Sequence, residues 1–255
     1  MSSRKIHWYK FAAPAYFYPM AGKLIPWFAI PAGLLFIAGL YFGFFVAPTD
    51  FQQGEAYRII FIHVPAAWMG MMLYVMMAVY AGIGWAFNAR LGSMMATAIA
   101  PTGAIFTFIA LVTGSLWGRP AWGVWWVWDA RLTSTLILMF LYIGFISLQS
   151  SIDDPRRADR AGAVLALVGV INVPIIYFSV QWWNSLHQGA TIRIANKPTM
   201  APTMLAAMLI LLAACWLYSI AVVLVRVRYI IRERERESPW LADRVGAGLV
   251  PARSK

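Results

Sequence analysis

Cysteine and charge are scarce in this chain. Cys215 is the one cysteine in 255 residues. A lone thiol gives no redox pair, and no C-x-x-C-H cofactor-attachment motif exists. No G-x-x-x-x-G-K-[ST] run occurs, so the chain has no P-loop for nucleotide hydrolysis. Charged residues make up only 12% of the sequence and are almost absent from its apolar stretches. That leaves no sign of a proton relay or ion path. Pro26, Pro31, Pro101 and Pro174 interrupt apolar stretches, but no inverted repeat of the kind built into secondary transporters is visible.

What is present in excess is hydrophobic surface. The chain is 61% hydrophobic, and a soluble domain of this size would lack the polar residues to cover it. Six stretches of about 20 apolar residues can each cross a bilayer. They fall at 24–46, 64–87, 93–113, 132–150, 161–180 and 203–225. The expected fold is all-α, a polytopic membrane protein with six transmembrane helices. The first stretch is too long and starts too late for a signal peptide.

The net charge of +11 needs no nucleic acid to explain it. Sixteen of the 21 basic residues fall on the side that carries both termini. By the positive-inside rule that side is cytoplasmic. The other side holds Arg58, Arg119, Arg131, Arg193 and Lys197 in three segments, 47–63, 114–131 and 181–202. The chain thus divides into an interfacial N-terminal segment (1–23), a six-span domain (24–225) and a charged C-terminal tail (226–255). The aromatic stretch 7–19 is expected to lie along the inner interface. The alternating Arg/Glu run 226–237 reads as a solvated helical extension and a charged stop.

Between the third and fourth apolar stretches runs Trp117-Gly118-Arg119-Pro120-Ala121-Trp122-Gly123-Val124-Trp125-Trp126-Val127-Trp128-Asp129-Ala130-Arg131-Leu132-Thr133. Five of the 13 tryptophans are here. One reading is an interfacial aromatic belt; the other is a flat floor for a large planar ligand. Gly118 and Gly123, which let a surface approach the backbone, favour the floor. If the stretch from Trp122 is helical, Trp122, Trp125, Trp126 and Asp129 share one face. Gly118-Arg119-Pro120 reads as a tight turn.

Of three histidines, His7 lies in the cytoplasmic tail. His63 and His187 both lie on the outer side and flank the tryptophan segment. Either one alone reads as a hydrogen-bonded polar residue. Together they also suit the two axial positions of a haem iron. Arginines such as Arg58, Arg119 and Arg193 suit carboxylates, because the guanidinium fork donates two parallel hydrogen bonds. They equally suit headgroups or local carboxylates such as Asp50, Glu55 and Asp129.

The tryptophan segment resembles the WWD signature of the haem-handling proteins of cytochrome c biogenesis, and a chain of six spans is similar to that family's smaller members. The resemblance covers roughly residues 24–225 and not the tail. It implies haem b held transiently at the periplasmic face of the bacterial inner membrane. The axial ligands would be His63 and His187. The platform would be Trp117, Trp122, Trp125, Trp126, Trp128 and Asp129. It also implies delivery to a membrane-anchored haem chaperone, and a complex with an ATP-binding-cassette pair and a small membrane subunit. That makes the chain a binding and transfer protein, not an enzyme. Two alternatives stay open: a permease that moves haem or another substrate across the membrane, and a membrane oxidoreductase with a permanent haem.

Overall fold

The computed structural model describes residues 12–183, 185–187 and 200–245. Among them eight α-helices follow one another: α1 Pro14–Tyr41, α2 Ile60–Ala86, α3 Arg90–Trp122, α4 Ala130–Ser151, α5 Pro155–Gly169, α6 Asn172–Trp182, α7 Pro202–Arg234 and α8 Pro239–Val245. No strand occurs among the described residues. Six helical segments are long and apolar enough to cross a membrane, with α5 and α6 forming one of them. The all-α, six-span expectation holds.

The helices run past the apolar stretches that announce them. Pro14 occupies the first helical position of α1, where its missing N–H costs nothing. Residues 14–19 are therefore the first turns of the same helix that carries the first apolar stretch. At its far end α1 relaxes into a π-turn, Phe42–Val46. Helix α3 continues to Trp122, so Gly118-Arg119-Pro120 is its last turn and not a loop. Gly123 then ends it in the left-handed conformation, φ 80°, and its N–H returns to Arg119 O at 3.0 Å. Residues 124–128 are not helical, so the common face proposed for Trp122, Trp125, Trp126 and Asp129 does not form.

The stretch 161–180 is broken at Val170–Ile171. Pro174 has no N–H to give the Val170 carbonyl. The N–H of Val173 turns back to it instead, at 3.0 Å. Asn172 Nδ2 then donates to Ser134 O at 2.8 Å and ties the break to α4.

Helices α2 and α3 form a hairpin around Asn88 and Ala89, and α1 lies along α7. At the hairpin a Cβ on Gly92 would meet Gly84 N at 2.9 Å, so two backbones approach where a side chain would separate them. The main core is built by α2 through α7, with Tyr74, Met77, Met94, Ile99 and Tyr142 fully buried. The Tyr142 hydroxyl satisfies itself on Gly70 O at 2.8 Å.

The Arg/Glu run is helical to Arg234, as its pattern suggests, and Arg232, Glu233 and Glu237 are exposed, but Arg234 and Glu235 turn inward to partners. Arg234 grips Asp159 with two bonds, 2.7 and 2.9 Å, and Arg90 pairs with Glu235 at 2.7 Å. Glu235 is only 7% exposed. Arg228 lies over the Tyr18 ring, 4.5 Å from its centre, and Tyr18 meets Trp240 edge-on. The tail thereby latches one end of the bundle, joining α1, α3, α5, α7 and α8. Apolar patterning could not show this, because the partners are far apart in sequence. The opposite end of the bundle carries His63, the tryptophan segment and His187.

Candidate functional site

His63 sits in the first turn of α2, where that helix meets α3. Its Nδ1 lies 3.1 Å from Thr113 Oγ1. The Thr113 hydroxyl donates its own hydrogen to Ile109 O at 2.6 Å, so toward the imidazole it can only accept. The network therefore assigns the imidazole proton to Nδ1 and leaves the Nε2 lone pair available to a metal. Gly114 makes the approach possible. A Cβ there would lie 3.0 Å from His63 Cε1.

His187 comes from the segment that follows α6. Its ring centre lies 6.3 Å from that of His63, with the planes tilted by 38°. Two metal–imidazole bonds of about 2 Å, with each ring centre roughly 1 Å behind its nitrogen, span a similar distance. The backbone N–H of His187 donates to Ser185 Oγ at 3.0 Å, and the Ser185 hydroxyl donates to Asp129 Oδ2. Asp129 Oδ1 also accepts from Leu132 N–H at 2.8 Å and caps α4.

Tryptophans frame the histidine pair. Trp117 meets His63 edge-on at 5.8 Å, and Trp122 lies 6.4 Å from His187. The Trp117 indole is steadied by donating to Gln53 Oε1 at 2.7 Å. Trp125 and Trp128 are 55% and 76% exposed and form the rim of the same end. Trp126 contacts Trp128 at 5.5 Å, yet its Nε1 is buried without a hydrogen-bond partner among the described residues. An orphaned buried donor suits a site built to take a polar ligand.

The arginines are already engaged. Arg58 pairs with Glu55 and donates to Gly43 O at 2.6 Å and Ala47 O at 3.1 Å. It closes the carbonyl end of α1, where a cation is favoured. Arg119 donates to Gly123 O and closes the end of α3 in the same way. Arg131 donates to Ile176 O at 3.1 Å, bridging α4 to α6. Arg193 and Lys197, like His7, lie outside the described residues.

The fold thus brings together His63, His187, Trp117 and Trp122, and joins Asp129 to His187 through Ser185. Sequence reasoning missed Gln53, Thr113, Gly114 and Ser185. A signal existed for two of them: Thr113 and Gly114 stand one helical turn before Trp117 and Gly118, on the same side of α3.

The profile of the family described as Heme exporter protein C matches residues 7–242. A protein of that name from Escherichia coli K12 is 46% identical over 235 residues, covering 92% of this chain and 95% of its own length. Its counterpart in Bradyrhizobium diazoefficiens is 44% identical over 88% of this chain and 86% of its own length. That of Haemophilus influenzae is 41% identical over 91% of this chain and 94% of its own length. The six-helix bundle and this extent of similarity lead to one conclusion: the chain belongs to the haem exporter protein C family.

Proposed function

We propose that this chain handles haem for cytochrome c maturation: it binds haem b transiently between His63 and His187 and passes it to a membrane-anchored haem chaperone. The observation that carries this reading is the 6.3 Å separation of the two imidazoles at the tryptophan-rich end of the bundle. Names of the relatives support haem as the cargo. The charge asymmetry supports termini in the cytoplasm and a haem site on the periplasmic side of the bacterial inner membrane.

The residues have distinct parts in this reading. Thr113 holds the His63 ring so that Nε2 faces the cargo. Trp117 and Trp122 wall the histidine pair. Trp125 and Trp128 offer the chaperone an exposed aromatic rim, a surface that favours contact. Haem handed over this way needs no turnover in the chain itself, so the reading is a carrier and not a catalyst. ATP hydrolysis falls to an ATP-binding-cassette pair, with a small membrane subunit completing the complex. A permease needs a polar path through the spans. A resident-haem oxidoreductase needs ligands within them, whereas both histidines stand at one end.

The test is a transfer assay. Haem-loaded chain in detergent is mixed with haem-free chaperone, and the haem absorption is followed after separation. Transfer by wild type is expected. The double variant Trp122→Ala, Trp125→Ala should accumulate normally and fail to deliver. A double variant that never accumulates would make the tryptophans structural, and haem that never leaves wild type would favour the oxidoreductase.

A further inference from the structure

We propose that Asp129 is a positioning residue. Through Ser185 it holds the backbone of His187 at the place from which the imidazole reaches one axial side of the bound haem. The inference rests on the haem-binding reading above.

The direction of each bond in the clasp is fixed by chemistry. An ionised carboxylate only accepts and a backbone N–H only donates. The Ser185 hydroxyl must therefore spend its hydrogen on Asp129 Oδ2 and receive the His187 N–H on a lone pair. The bond to the carboxylate is charge-assisted, the stronger kind. Asp129 is anchored in turn, because its other oxygen caps α4 through Leu132 N–H at 2.8 Å. The start of a spanning helix thus sets where His187 stands, and His187 meets both His63 and Trp122 from there.

The two histidines are held unequally. His63 is part of α2 and is braced by α3, so moving it means unwinding a helix. His187 lies beyond the end of α6, in no helix. Loss of the Ser185 link therefore bears on the placement of His187 and not on that of His63.

The experiment uses the full chain in nanodiscs, as wild type, Ser185→Ala and Ser185→Thr. In haem-free protein, amide exchange of the peptide containing His187 should rise about tenfold in Ser185→Ala and stay near wild type in Ser185→Thr. In haem-loaded protein, Ser185→Ala should keep its haem on His63 but change from low-spin to high-spin absorption, and added imidazole should restore the low-spin spectrum. Asp129→Ala made on top of Ser185→Ala should add no further spectral change, only the stability loss of an uncapped α4. A Ser185→Ala spectrum identical to wild type overturns the proposal, even if exchange rises. If wild type itself takes up no bis-histidine haem, the binding reading fails instead, and the exchange comparison still reports on the clasp.

Discussion

A Cβ on Gly114 would stand 3.0 Å from Cε1 of His63, closer than an imidazole tolerates without moving. Gly114 lies inside α3, where alanine is normally favoured over glycine by about 0.5–1 kcal/mol. Gly114→Ala should therefore leave thermal stability equal or raised while haem affinity falls. Gly114→Val should lower the affinity further. Haem titration beside a thermal melt checks this, and wild-type affinity in Gly114→Val would separate His63 from the site.

Thr113 governs the tautomer of His63. Thr113→Val removes the oxygen that accepts from Nδ1. Loss of such an outer partner typically weakens metal binding by about 10–100-fold. Thr113→Ser keeps the oxygen and should behave like wild type. Affinities measured by haem titration decide between an outer-partner role and simple packing, for which serine and valine would rank the other way.

Six helices and the end of the bundle that carries the histidines were legible in the sequence, because apolar length and basic asymmetry are local signals. That His63 and His187 stand at the tryptophan-rich end was legible from the order of the spans. The course of the tryptophan segment was not: Gly123 stops the helix, so spacing arithmetic for Trp125, Trp126 and Asp129 had no helix to act on. Arg58 and Arg119 read as ligands for carboxylates. The carbonyls they serve are set free only once α1 and α3 end where they do.

Those two arginines should now behave differently. Arg58 closes α1 through two carbonyls, and lysine cannot reproduce the fork. Arg58→Lys should cost about 1–2 kcal/mol of stability, with little change in haem affinity. Arg119 has one N–H on Gly123 O, and among the described residues the rest of its fork has no partner and can meet a propionate. Arg119→Lys should weaken haem binding by about 1–2 kcal/mol. Arg193→Lys belongs in the same titration. Equal affinities in all three would mean that the propionates face solvent.

The latch at the other end is a stability element. Arg234 and Asp159 are both mostly buried and joined by two bonds. Removing either partner strands the other, at a cost of about 1–3 kcal/mol. Arg234→Ala and Asp159→Ala should each lower the melting temperature, and the double variant should fall no further than the worse single. Additive losses would mean that the pair is not coupled.

The central claim is that His63 and His187 share one iron. Absorption and electron paramagnetic resonance spectra of the purified full chain test it most directly. Wild type should show low-spin, bis-histidine haem. His63→Ala and His187→Ala should each lose that signature, and added imidazole should restore it by filling the vacated side. Full haem occupancy with an unchanged spectrum in either variant would contradict the account.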